Sequence, residues 1–397
     1  MMSFRVCLLV ALAPTLLSCS DLASDTKDQT AGILPITQDR GKLLDNAFPA
    51  LLEKHGVVTA GVGVIKNGEL VWTGYYGEHR PGLPASGQTQ FNIASVTKTV
   101  TAETVLRLAA DGRIDLDEPM AEYWLEDDIK SDPRAQEITP RMALTHSTGL
   151  PNWRFIDDQT GGGFDPDRPL SFRFDPGTSY GYSGEGFQYL ARFVERKLQT
   201  DFEDLVIHEI YDPIGMENAS LSRRDANLEN IVWTFDTDGN FNGHYCRPGG
   251  FACAAQGEWS AAGNMRVTVP DYARFMISVM NNDGYAASYS QDRNRVHVEQ
   301  WNRPNSIWIR CEDLDPEECP KKQGYGLGWK IANYGDYSLI GHDGSDHSEI
   351  SLTYFYTDTK DGIIIFLNAP NQRASAMLPE AIELLHPGSA ITPYYSR

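Results

Sequence analysis

The chain has 397 residues, 41% hydrophobic and 22% charged, an ordinary globular composition with enough length to bury a large core in one or two domains. Its formal net charge is −20. Phosphate backbones and anionic membrane surfaces bind clustered Lys and Arg, and no such cluster occurs, so nucleic acid is excluded as a partner and the acidity reads as a solubility feature.

The first segment reads as a targeting signal. Arg5 supplies a minimal basic region, residues 6–17 an apolar stretch too short to span a bilayer permanently, and Leu16-Leu17-Ser18-Cys19 a cleavage site. That tetrapeptide resembles the lipobox of bacterial lipoproteins. It implies cleavage before Cys19, lipidation of that cysteine, and an exported protein in the periplasm or at the cell surface, held to a membrane by lipid alone. The alternative is a plain secretory signal with an incidental cysteine. Residues 19–40 are polar and aperiodic, which predicts a tether. Leu43, Leu44, Ala47, Phe48, Leu51 and Leu52 then recur at helical spacing over 41–54. Strand-like runs at 57–65 and 69–76 flank Asn67-Gly68, a type I′ turn pair, and predict a hairpin on the edge side of an antiparallel sheet.

A short apolar run, Phe91-Asn92-Ile93-Ala94, delivers Ser95 to the start of a helix that carries Lys98 one turn on. Residues three apart share a helix face, so Lys98 can reach Ser95 Oγ. A serine hydroxyl becomes a good nucleophile only with a base or a positive charge beside it, and a partly desolvated lysine supplies either. The spacing alone is weak: Ser24-Asp25-Thr26-Lys27 fits the same template in the polar tail. Ser95 is distinguished by the buried run before it and by the amphipathic helix predicted over 99–110, with Val100, Val105, Leu106, Leu108 and Ala109 apolar.

Residues 113–137 are acidic, with one short helix near 120–124. Thr139-Pro140 is an N-cap followed by proline at the first helical position, and that helix stops at His146. Residues 152–177 are rich in Gly, Pro and Asp, too long for a plain connector, and border a cleft. Helices follow at 184–198 and 201–214, a loop-rich stretch at 233–260, a helix at 269–280 with Pro270 at its start, and irregular chain at 285–323. Strands are predicted at 328–332, 337–341, 350–356 and 363–367, and a closing helix at 373–386. The order implies an α/β fold of the α+β type: an antiparallel sheet built from both termini (41–94 and 260–397), flanked by helices, with a mainly helical region (95–259) inserted and the active site at their junction. Beyond Cys7 and Cys19, four cysteines remain. In an exported chain Cys246, Cys253, Cys311 and Cys319 suggest two disulfides. The local pairs Cys246–Cys253 and Cys311–Cys319 close the shortest loops. A zinc site usually has closer spacings than these.

Four stretches resemble the serine β-lactamase and penicillin-binding family, in the branch that holds class C β-lactamases, D,D-carboxypeptidases, D-aminopeptidases and related esterases. They are Ser95-Val96-Thr97-Lys98; Leu144-Thr145-His146-Ser147-Thr148-Gly149-Leu150-Pro151; Asp175-Pro176-Gly177-Thr178-Ser179-Tyr180-Gly181-Tyr182-Ser183; and Gly324-Tyr325-Gly326-Leu327-Gly328-Trp329 followed by His342-Asp343-Gly344. The resemblance runs from about residue 56 to 368. It implies a β-lactamase/transpeptidase-like fold, no metal or organic cofactor, a small-molecule or peptide-like substrate, and an acyl-enzyme on Ser95 that cleaves an ester or amide. It further implies that Lys98 or Tyr182 takes the proton, that His342 adds a donor or positive charge, and that Gly344 lets substrate approach. The main-chain N–H groups of Ser95 and Ser345 would form the oxyanion hole.

Three departures from the family pattern carry expectations of their own. Gly184 stands where the family often has Asn, so a side-chain amide that helps hold a substrate amide is missing, and the sequel Ser345-Asp346-His347-Ser348-Glu349 is more acidic than the family's Gly-rich turn. Asp343 stands where the family has Thr or Gly, which predicts a carboxylate facing the substrate and hence a neutral or amine-bearing substrate. A metal hydrolase built on His342, Asp343, Asp346 and His347 has spacings unlike those of metallo-β-lactamases. A non-catalytic binding or sensor lipoprotein on the same fold is the alternative from another class.

Overall fold

Asn67 and Gly68 both take positive φ, 51° and 78°, and close a tight hairpin between β1 (Thr59–Lys66) and β2 (Glu69–Arg80). They belong to a computed structural model that describes residues 33–157, 163–222, 225–235, 239–243, 258–299 and 308–396. The signal segment, Cys19 and the Cys246–Cys253 pair lie outside the described residues.

Seven further strands join the hairpin: β3 (Leu83–Pro84), β4 (Val298–Glu299), β5 (Lys322–Tyr325), β6 (Lys330–Asn333), β7 (Ser338–Ser345), β8 (Glu349–Tyr356) and β9 (Gly362–Asn368). Among the described residues they form one antiparallel sheet in the order β4-β5-β6-β7-β8-β9-β1-β2-β3. The join between the two ends of the chain is the β1–β9 ladder, where Val62, Gly63 and Val64 face Ile365, Ile364 and Ile363. This is the expected sheet from both termini. The hairpin sits deeper than its sequence suggests, because β9 covers the free side of β1 and only the two-residue β3 lies beyond β2.

Strand alternation gives the sheet two apolar faces. On one, Val62, Val64, Leu352 and Ile365 pack with Leu44 and Phe48 of α1 (Gln38–His55) and Met377 and Ile382 of α6 (Asn371–Leu385). On the other, Ile65, Ile340, Ile364 and Phe366 pack with the helical region: α2 (Thr97–Ala110), α3 (Pro140–Leu144), α4 (Gly184–Leu198) and α5 (Val269–Asn281). Ordinary caps set the helix starts. Thr139, Ser183 and Thr268 accept from the N–H groups of Met142, Gly186 and Asp271. The 285–323 stretch is less irregular than predicted, since it contains a helix at Ala287–Arg293, and Cys311 and Cys319 within it form a disulfide. No helix among the described residues is long and apolar enough to cross a membrane.

The largest difference from the sequence reading concerns α2. Its apolar spacing predicts one buried face, yet every residue from Thr97 to Ala109 is buried. Such a helix is stable only if its polar side chains find partners inside the protein. Thr97 accepts from Met265 N–H at 3.0 Å, and Thr101 donates to Ala261 O at 2.7 Å. Glu103 accepts from Trp329 Nε1 at 2.9 Å and Tyr285 Oη at 2.5 Å and pairs with Arg293 at 3.3 Å, both charges being 1% exposed. Removing one partner of a buried pair leaves the other uncompensated. Glu103→Ala should therefore destabilise the protein by about 3–5 kcal/mol, read as a lower denaturant midpoint.

Candidate active site

Ser95 lies in a single 3-10 turn, Ala94–Val96, that feeds directly into α2. The turn is strained and held: Ala94 has φ 44°, a left-handed value that costs a non-glycine residue free energy. Asn92 Oδ1 fixes it by accepting from Ala94 N–H at 3.0 Å, and Ser351 Oγ donates to Ile93 O at 2.6 Å from β8. The serine is partly exposed although its neighbours on both sides are buried. It occupies the first turn of the helical run, where main-chain N–H groups have no intrahelical acceptor.

Lys98 reaches back to it. Its Nζ lies 3.1 Å from Ser95 Oγ and donates to Ala262 O at 2.6 Å. The ammonium is enclosed, and burial pushes its pKa down to about 7 despite the Asp343 charge nearby. Tyr182 comes from the approach to α4, and its hydroxyl is hydrogen-bonded to Ser95. Lys98 Nζ sits 4.8 Å from the centre of its ring. Burial pushes the Tyr182 hydroxyl above the usual phenol range. Of the two candidate bases the lysine is thus the one that loses its proton near neutrality.

His146 positions the Tyr182 segment from both sides. Its carbonyl accepts from Gly181 N–H at 2.8 Å, and its Nδ1 accepts from Ser183 N–H at 3.0 Å. Its ring lies 4.3 Å from that of Tyr182. Burial drives its pKa well below the ordinary histidine value, so it is neutral. The Leu144–Pro151 segment signals this role only faintly, because a histidine that ends a helix is usually read as a cap.

Strand β7 closes the site opposite α2. It pairs with β6 only as far as Gly341, so residues 342–345 have no strand neighbour on that edge among the described residues. A Cβ on Gly344 would stand 2.4 Å from Ile93 O and Ser351 Oγ and 2.9 Å from Ser95 N. The missing side chain therefore lets the end of β7 pack on the nucleophile turn. The expectation that it makes room for substrate needs that amendment. Gly344→Ala should cost about 1–3 kcal/mol of stability through overpacking and about 100-fold in kcat/KM through displaced geometry, checked by melting and ester kinetics together.

His342 faces the same side. Its Nε2 accepts from Tyr325 Oη at 2.5 Å and its Nδ1 donates to Asp343 O at 2.6 Å, while burial lowers its pKa to about 3. It is neutral with both nitrogens engaged, so it does not supply the expected positive charge. Asp343 also departs from expectation. Alternation sends its side chain to the opposite face of the sheet from His342 and Gly344, where it forms an ion pair with Lys330 of β6. Burial is the largest influence and would raise that carboxyl, but the charge and hydrogen bond of Lys330, with His342 and a main-chain hydrogen bond, together hold the pKa low. Lys330 lies against the rings of Trp308 and Tyr394. The predicted unbalanced carboxylate is therefore neutralised, and the restriction to neutral or amine-bearing substrates loses its basis. Asp343, Gly344 and Ser345 border a cleft of about 650 Å³ that runs to Asn371 and Tyr395. Asn371 Nδ2 donates to Ser345 Oγ at 2.7 Å.

The structure thus brings Ser95, Lys98, Tyr182, His342 and Gly344 together at the junction of sheet and helices, and it turns the Asp343 carboxylate away to an ion pair with Lys330, from where its charge still acts on Lys98. Sequence reasoning missed Lys330, whose partner is thirteen residues and one strand away, Asn92, which lies in a two-residue strand, and Trp153, which lies in a loop, neither with a periodic signal.

The Beta-lactamase family model matches residues 44–385. Esterase EstB of Burkholderia gladioli is 30% identical over 198 residues, which is 44% of this chain and 50% of that protein, so the chain spans about half the length of this relative. Lovastatin esterase of Penicillium rubens is 27% identical over 66% of this chain and 75% of its own length. Among solved structures, the octameric penicillin-binding protein homologue from Pyrococcus abyssi superposes with a TM-score of 0.67 at 20% identity, covering 89% of this chain and 80% of that one. At that identity the likeness speaks for the fold.

Proposed function

The chain belongs to the Beta-lactamase family, and from that membership we propose that it is a serine hydrolase that opens an ester or amide through an acyl-enzyme on Ser95. The observation that carries the reading is the buried amine of Lys98, with a pKa near 7 and its Nζ 3.1 Å from the Ser95 hydroxyl. At neutral pH a large fraction of that amine is unprotonated and accepts the Ser95 proton as Oγ attacks the substrate carbonyl. The tetrahedral intermediate then collapses: its carbonyl re-forms, the bond to the leaving alcohol or amine breaks, and that group departs with the proton held by Lys98, passed on by Tyr182, a neutral phenol hydrogen-bonded to Ser95, so that the acyl group stays on Ser95. A water then attacks the acyl-enzyme by the reverse sequence and frees the acid. The main-chain N–H groups of Ser95 and Ser345 hold the oxyanion, each donor contributing about 3–4 kcal/mol in the transition state. Two of the relatives are esterases, which favours an ester as the scissile group. The lipobox-like segment adds that the hydrolase works outside the cytoplasm, tethered through a lipid on Cys19.

Incubation of the purified protein with p-nitrophenyl esters, a chromogenic cephalosporin and D-alanyl peptides, followed by intact and peptide mass spectrometry, tests the reading. An acyl mass on the Ser95 peptide with at least the esters is expected. Neither turnover nor an adduct with any of the three classes would point to a binding module instead.

A further inference from the structure

Two residues beyond Tyr182, on the same side of the chain, stands a position with no side chain. Ser183 is extended (φ −141°, ψ 109°), so the position that shares a side with Tyr182 is Gly184. A Cβ there would stand 2.8 Å from Cη2 and Cζ2 of Trp153 and 2.9 Å from Asn152 O. The indole edge already occupies the volume a side chain would take. Its seat is fixed from both flanks. Asn152 accepts from Gly184 N–H through Oδ1 and from Glu185 N–H through its carbonyl, each at 3.0 Å. Arg154 closes on the Glu185 carboxylate through its main-chain N–H at 3.0 Å and its guanidinium at 2.9 and 3.2 Å. Trp153 stacks on Phe155 with ring centres 5.7 Å apart, and Phe155 meets the exposed Phe164 at 5.9 Å. The carbons turned toward Gly184 belong to the six-membered ring of the indole, which offers no hydrogen bond.

We propose that Trp153, seated over Gly184, is the specificity-determining residue of the Ser95 site and selects acyl groups that are apolar over acyl groups that carry an amide beside the reacting carbonyl. The proposal rests on the Ser95 hydrolase reading. An amide set against this wall gives up its water and finds no partner, whereas an apolar group gives up only unfavourable hydration. Discrimination of this kind amounts to about tenfold to a few hundredfold.

The test measures kcat/KM of the full chain for p-nitrophenyl phenylacetate and for the p-nitrophenyl ester of N-acetylglycine, which share a leaving group. The wild type should prefer the phenylacetate by about tenfold or more. Trp153→Ala should lower that ratio about tenfold, Trp153→Phe should keep it within about threefold, and Trp153→Ala with Gly184→Asn should favour the amide-bearing ester. Trp153→His, a flat ring with polar nitrogens, replaces the alanine variant if that one fails to fold and should likewise lower the ratio. An unchanged ratio in these variants, with turnover still abolished by Ser95→Ala, overturns this proposal and leaves the hydrolase reading standing. Turnover that survives Ser95→Ala overturns both.

Discussion

Ser95→Ala lowers kcat/KM for p-nitrophenyl esters by about 10⁴-fold or more and abolishes the acyl adduct, while its thermal midpoint stays close to the wild type. The size follows from the role. Removing the nucleophile of a serine hydrolase leaves only the contribution of binding and oxyanion donors. The unchanged stability follows from the position, because Ser95 is partly exposed and its hydroxyl is not among the bonds that fix the turn. Those are made by Asn92, Ile93 and Ser351. A variant within tenfold of wild-type activity would remove Ser95 from the mechanism, whatever its fold.

Lys98→Ala should cost about 10³-fold in kcat/KM and erase a pH inflection near 7 that the wild type displays. The sign follows from which form of the amine works. Below about pH 7 the Lys98 amine carries its proton and has no lone pair for the Ser95 hydroxyl, so the rate should rise tenfold per pH unit toward 7 and level off above it. The two histidines nearby do not confuse the assignment. Burial holds His146 well below its ordinary range and His342 at about 3, so neither titrates between pH 5 and 8. A rate that falls as pH rises through 7 would mean that the charged amine is the working form, with Lys98 a fixed positive charge and the proton taken elsewhere.

Sequence periodicity carries much of this fold because each long element has a strong local signal. Asn67-Gly68 forces a reversal, the strand-prone runs at 350–356 and 363–367 have few other uses, and Thr139 marks a helix start that the structure retains. The nucleophile and its lysine are legible for the same reason, being one turn apart on one helix. Features that depend on register or on long-range seating are not. Asp343 could be read as facing the substrate until the β6–β7 register set Lys330 opposite Gly341 and alternation turned both charges to the far face. Lys98 reads from the sequence as partly desolvated, but only the enclosure of α2 on all sides shows how fully it is buried, and it is that enclosure that lowers its pKa. Trp153 lies in a Gly/Pro/Asp-rich stretch, and nothing local announces that its ring fills the space over Gly184.

The seating of β9 between β8 and β1 has a consequence for biosynthesis. Residues 59–66 leave the ribosome some three hundred positions before their partners at 362–368, and until then β1 exposes an open hydrogen-bonding edge carrying Val62, Val64 and Ile65. A nascent or prematurely terminated chain is therefore adhesive, and maturation must be a late, nearly all-or-none event. Closure of the sheet waits on its last strand, which exists only once nearly the whole polypeptide has been made.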